Sequence, residues 1–127
     1  MEKIRILLVD DDLNIQRFYG KLLRDEGYET FQALDAERAT EILITQPIDL
    51  ILLDINLPGI DGSAFRQIME EFDNRIKVIV TSVCPVTEQR KRIRRVDEYF
   101  DKAHGTELLL QIIHQVLGET QRKEDEK

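Results

Sequence analysis

The stretch from Leu50 to Gly62 limits the possible folds more than any other part of the chain. Leu50, Ile51, Leu52 and Leu53 form an apolar run without alternation that ends in Asp54, and a turn sequence with Pro58, Gly59, Asp61 and Gly62 follows. A run this short does not make a helix of its own. Its lack of alternation means that both faces are covered, which is the pattern of a strand inside a parallel sheet. Open α/β sheets place their chemistry outside the carboxyl ends of the strands. Asp54 is therefore expected at that edge with a buried stem and an accessible head, a position for a reactive group.

Four more short runs share this design. Ile4–Val9 leads into Asp10, Asp11 and Asp12; Tyr28–Ala33 is a weaker, edge-like strand; Lys77–Ser82 ends in hydroxyls; Glu98–Asp101 is followed by Lys102. Between them lie helical spacings. Ile15, Phe18, Tyr19, Leu22 and Leu23 recur at helical intervals, with Gly27 as a stop, and Asp35 can cap a helix whose inner face is Ala36, Ala39 and Leu43, closed by Pro47. Phe65, Ile68, Met69 and Phe72 mark a third helix, and Glu88–Arg95 a short, charged fourth. Thr106 can cap a last helix with Leu109, Ile112, Ile113, Val116 and Leu117 inward.

Strand and helix alternate five times, and right-handed crossovers turn such a chain into one parallel sheet covered on both faces. The expected fold is α/β, a flavodoxin-like doubly wound (βα)5 domain with strand order 2-1-3-4-5 over residues 1–118, followed by a polar, disordered tail over 119–127. In that order Asp10, Asp11 and Asp54 converge in one crevice, which Ser82 and Lys102 reach from strands 4 and 5.

The whole chain, 127 residues, suits one domain with one core. Its net charge of −7 argues against bulk affinity for nucleic acid or anionic membranes. No apolar stretch is long enough to span a bilayer. A single cysteine, Cys84, excludes an internal disulfide, and with no cationic, apolar leader before the first strand a cytoplasmic location is expected.

Carboxylates crowded together are costly to leave ionised without a cation. Oxygen-only ligands from strand ends suit Mg²⁺, which keeps several waters and also takes a phosphate oxygen. Lys102 supplies a point charge for a phosphoryl oxygen and Ser82 a hydroxyl donor. Carboxylate nucleophile, Mg²⁺, lysine and hydroxyl together suit phosphoryl transfer, with an aspartyl phosphate on Asp54.

At this point the chain resembles the receiver domains of two-component response regulators. The likeness covers Ile4 to Leu117 and rests on Val9–Asp12, Asp54–Gly62, Ser82 and Tyr99–Lys102, in the family's order and nearly its spacing. The resemblance implies that Asp54 accepts a phosphoryl group from a histidine kinase or phosphotransfer protein. It implies that Asp11, Asp54 and the Asn56 carbonyl hold Mg²⁺, with Asp10 acting through water, and that Lys102 pairs with the acyl phosphate. Ser82 takes the place of the switch hydroxyl and Tyr99 that of the aromatic that turns inward, remodelling the face of the fourth helix, fifth strand and fifth helix for a downstream protein, an output domain or a homodimer. Asn56 and Cys84 stand where such domains tune the lifetime of the phosphate.

Two features depart from that pattern. Ala103 follows Lys102 where the family usually has a cis proline, and a trans bond there would aim the lysine differently. The segment from Ser82 to Lys102 is about two residues short, so the fourth helix is expected to be short, shifted or mobile. Competing readings are a non-phosphorylated pseudo-receiver that only binds protein, and a haloacid-dehalogenase-like Mg²⁺ phosphohydrolase using Asp10, whose motif lacks its expected hydroxyl here. The receiver is read as a signalling domain rather than an enzyme, acting alone by protein contact or as part of a longer regulator.

Other polar residues have plainer readings. Asp12 is expected as a helix cap, Asp49 and Asp61 as turn residues, Cys84 as a small buried hydrophobe, and His104 and His114 as surface histidines. The run Arg90–Arg95 reads first as a solvated helix face and second as a dock for an acidic partner or a second copy of the chain.

Overall fold

Non-alternating apolar runs are stable as strands only when neighbours cover both faces, and the sheet observed meets that need. The structure, a computed structural model, describes residues 3–55, 75–92 and 96–118. Within them five parallel strands, β1 (Arg5–Val9), β2 (Glu29–Ala33), β3 (Leu50–Asp54), β4 (Lys77–Ser82) and β5 (Glu98–Asp101), pair in the order β2-β1-β3-β4-β5. Four helices are described: α1 (Leu13–Asp25), α2 (Ala36–Thr45), α3 (Val86–Arg92) and α4 (Thr106–Leu117). The doubly wound fold and its strand order are those read from the sequence. The helix expected at Phe65–Phe72, the turn with Asn56 and Asp61, Arg94–Arg95 and the polar tail lie outside the described residues.

Every residue of β3 is buried, as its lack of alternation required. Side chains on successive residues of each strand feed two cores. One gathers Leu7, Val9, Ile51, Leu53, Val78, Val80 and Tyr99 under α2. The other gathers Ile6, Leu8, Leu50, Leu52, Ile79 and Phe100 under Tyr19, Leu23, Leu109 and Ile113 of α1 and α4. Truncating one of these fully buried leucines to alanine would cost about 2–5 kcal/mol, so the sheet is a rigid base for its carboxyl edge.

Helix ends follow local chemistry. Asp12 caps α1, its carboxylate accepting from Asn14 and Ile15 N–H, and Asp35 caps α2 through Arg38 N–H. Gly27, at φ 94°, supplies the left-handed turn that carries the chain from α1 into β2. Asp49 does more than turn the chain: its carboxylate accepts Arg5 N–H at 2.8 Å and its own N–H donates to Arg5 O, closing the amino end of β1 against β3.

Three expectations are corrected. The buried stripe of α1 is Gln16, Tyr19, Gly20 and Leu23, and Phe18 is exposed; the helix is rotated so that a glutamine, not a phenylalanine, faces the strand ends. The helix after β4 starts at Val86, just past Pro85, rather than at Glu88. Thr106 does not cap α4: Gly105 holds the cap position, with no side-chain bond.

Candidate functional site

Register decides what meets at the carboxyl edge. Val9 pairs with Leu53 and Asp54 with Thr81, so the residues that end β1, β3 and β4 lie side by side at the point where the chain's winding reverses. Asp10 and Asp54 are both buried, while Asp11 is exposed. One carboxylate oxygen from each of Asp10, Asp11 and Asp54 lies within 4.8 Å of the others. Asp12, facing its own helix, is not part of the group.

Lys102 enters this cluster from the end of β5. Its Nζ lies 2.5 Å from Asp10 Oδ2 and 3.5 Å from Asp54 Oδ2, with all three side chains largely screened from water. Every peptide bond among the described residues is trans, Lys102–Ala103 included, and the lysine nevertheless aims at the carboxylates. The backbone shows why: Lys102 N–H donates to Ser82 O at 2.7 Å, which fixes the base of the side chain against β4.

Ser82 is fully buried, and its hydroxyl accepts Cys84 N–H at 3.0 Å. Cys84 itself is half-buried rather than buried. Tyr99 is buried in the core on the Ser82 side of β4, and the Arg90 guanidinium lies 4.8 Å above its ring, within reach of Glu98 as well. His104 is exposed beside Asp101, and His114 stands 4.0 Å from Glu26; among the described residues neither joins a metal-ligand arrangement.

Four functional neighbours were missed in the sequence. Gln16 and Gln89 are buried amides whose Nε2 atoms donate to strand-end and loop carbonyls, Leu8, Asp10 and Ala33 for the first and Cys84 and Phe100 for the second. Thr81 is buried opposite Asp54. Tyr19 is buried near Asp10, and that burial, reinforced by the Asp10 charge, pushes its phenol up to about 12. The signal for Gln16 was present: it falls three and seven residues before Tyr19 and Leu23, on the stripe that faces inward.

A doubly wound sheet with three acidic groups and a lysine at its switch point defines a class of small α/β domains built to handle a charged ligand at that edge. The family model for the response regulator receiver domain matches residues 6–114, and the chain belongs to that family. It is thus a receiver domain of two-component signalling. Sporulation initiation phosphotransferase F of Bacillus subtilis (strain 168) is 38% identical over 76 residues, 60% of this chain and 61% of that protein. Response regulator MprA of Mycobacterium ulcerans (strain Agy99) is 29% identical over 97% of this chain and 54% of its own length. The chain therefore spans less than two thirds of the curated relatives it matches. Among solved structures, a CheY-like receiver domain protein from Methanospirillum hungatei JF-1 superposes with a TM-score of 0.82 at 26% identity, covering 96% of this chain and 99% of that one. The response regulator TrrA from Thermotoga maritima, solved with Mg²⁺ and beryllofluoride, superposes at 0.80 with 28% identity, covering 89% and 98%.

Proposed function

We propose that Asp54 is the phosphoacceptor of this receiver, taking a phosphoryl group from the phosphohistidine of a histidine kinase or phosphotransfer protein. One observation carries the reading: three carboxylates converge within 4.8 Å while Lys102 reaches two of them. In the transfer an Asp54 oxygen bonds to phosphorus while the phosphorus–nitrogen bond breaks, and the donor histidine, protonated on its other ring nitrogen, leaves as neutral imidazole.

The donor set fits Mg²⁺, being all oxygen, of high negative charge and open to water through Asp11. Asp10, Asp11 and Asp54 would hold it; the Asn56 carbonyl, the remaining expected ligand, lies outside the described residues. When bound, the ion neutralises the phosphoryl oxygens. Lys102 holds the donor's phosphoryl group by its charge and then pairs with the acyl phosphate.

Ser82 would respond to the phosphoryl group. Its hydroxyl would leave Cys84 N–H and turn to a phosphoryl oxygen, a new acceptor of high charge. Tyr99, on the same side of the sheet, carries the change to the face of α3, β5 and α4, where a downstream protein, an output domain or a second copy would bind. Cys84, beside Ser82, is assigned to the lifetime of the phosphate together with Asn56.

Incubation with Mg²⁺ and acetyl phosphate is expected to add the mass of one phosphoryl group to the wild type and none to Asp54→Asn. Beryllofluoride is expected to shift amide resonances as far as Tyr99. Equal labelling of wild type and Asp54→Asn would place the chemistry elsewhere. No labelling of either, with no shift on beryllofluoride, would leave a protein-binding domain without phosphoryl chemistry.

A further inference from the structure

We infer that Gln16 is a positioning residue for the acidic pocket and that, together with Tyr19 and Thr81, it holds one buried water beneath Asp10. The first half rests on the reading of Asp10 and Asp11 as cation ligands; the second half does not.

Gln16 is 2% exposed on the inward stripe of α1. Its Nε2 lies 3.1 Å from Leu8 O, 3.0 Å from Asp10 O and 2.9 Å from Ala33 O. Two N–H groups therefore serve three carbonyls, all at the carboxyl ends of β1 and β2. Ala33 O also accepts Asp10 N–H at 3.1 Å, so the backbone on both sides of the Asp10 side chain is tied through the same small network. The peptide that leads into Asp11 is thereby fixed from inside the protein. Two acidic residues at the end of a strand repel each other; Asp12 N–H and Lys102 hold the Asp10 carboxylate, and Gln16 holds the backbone between the two residues. Groups that orient metal ligands in this way commonly govern affinity by about 10–100-fold.

The other end of the same amide points to a ligand. Gln16 Oε1 is buried and has no hydrogen-bond partner. Gln16 lines a cavity of about 10 Å³ together with Asp10, Tyr19 and Thr81 and the apolar walls of Leu8 and Leu52. A buried water needs roughly 10–15 Å³ and two to four polar partners, and buried acceptors are rarely left without one. The volume is at that threshold, and the residues that line it carry an amide oxygen, two hydroxyls and a carboxylate. Thr81 pairs in register with Asp54, so a water here links the end of β1 to β4 behind β3. An apolar cavity would stay dry; four polar residues line this one.

The test uses the full chain with Gln16→Met, which keeps the shape but removes both donors and the acceptor. Thr81→Val, which removes one wall of the water site, and Leu43→Ala, a core truncation in α2 remote from the pocket, complete the set. Oxygen-17 magnetic relaxation dispersion is expected to detect one long-lived water in the wild type and in Leu43→Ala, and to lose it in Gln16→Met and Thr81→Val. Calorimetric titration with MgCl₂ is expected to show about 10-fold weaker binding in Gln16→Met and a change below about two-fold in Leu43→Ala. Wild-type Mg²⁺ affinity in Gln16→Met, or an equal loss in Leu43→Ala, overturns the positioning role. A wild type without a long-lived water overturns the water site, and Thr81→Val decides this even if Gln16→Met fails to fold. A wild type that shows the water but takes no Mg²⁺ overturns the cation reading and with it the positioning role, leaving the water site supported.

Discussion

On the β1 flank of the pocket, Asp12 caps a 13-residue helix, Gln16 holds three strand-end carbonyls, and Asp49 closes the far end of the same strand. On the β4 flank a seven-residue helix is joined to the sheet through Gln89, which spans Cys84 O and Phe100 O, and through Arg90 over Tyr99. The first flank uses side chains to fix backbone on a strand that carries acidic groups. The second ties a loop and a short helix to an edge strand, with contacts that include a solvent-exposed arginine. Carboxylates that must share a cation tolerate little displacement, whereas a surface meant to change its partner needs contacts that can be exchanged at small cost. On the proposed function, the difference would separate a chemical half from a readout half.

Lys102 reaches from the second flank to the first, so its removal should disturb the comparison most. Lys102→Ala is expected to slow phosphorylation by acetyl phosphate about 100-fold, the usual scale for losing one charged stabiliser of a phosphoryl group. Mg²⁺ binding should tighten, because a competing cation is gone; weaker binding would mean that the lysine organises the carboxylates rather than competing at them. Gln89→Met is next. One buried and one part-buried carbonyl lose their donor, and urea unfolding should show a loss of about 2 kcal/mol. Beryllofluoride-induced shifts should then stop short of Tyr99 while Mg²⁺ affinity holds; a loss of Mg²⁺ affinity would show that the two flanks are not separable.

Tyr19 gives a smaller effect on the β1 flank. Its folded value of about 12 lies above the ordinary 10.0, so the unfolded chain gives up the phenol proton first and stability falls as pH rises between these values. Between pH 9 and pH 11 the wild type should lose about 1 kcal/mol more than Tyr19→Phe in urea unfolding. An equal loss in both would show that the phenol is freely hydrated. Arg90→Ala should cost least, about 0.5–1 kcal/mol from the ring contact, with no change in the rate of phosphorylation. A slower rate would join the readout face directly to the chemistry.

The sheet, its order and the convergence of Asp10, Asp11 and Asp54 were legible because each follows from short-range patterns. An unbroken apolar run reports burial on both faces, and the residue that ends it reports the edge. Asp12 and Asp35 were legible for the same reason, since a cap acts within its own first turn. Phe18 misled because apolar residues at i and i+3 fit two rotations of α1, and the choice between them was made by the carbonyls at the ends of β1 and β2. Gln16 and Gln89 stayed hidden because an amide carries no charge and no motif. Their role comes from acceptors on other strands, up to 17 residues away for Gln16. The aim of Lys102 was likewise not local: a trans peptide to Ala103 left it open until Ser82 O anchored the backbone.

The contact between Lys102 and Asp10 joins residues 92 positions apart in sequence. No fragment lacking either the opening strand or the closing one can assemble it. A chain whose last strand has come away keeps the acids of β1 and β3 side by side but has no ammonium among them. If Asp54 is the phosphoacceptor, full-rate labelling would therefore report that the first and last strands are both seated in the sheet.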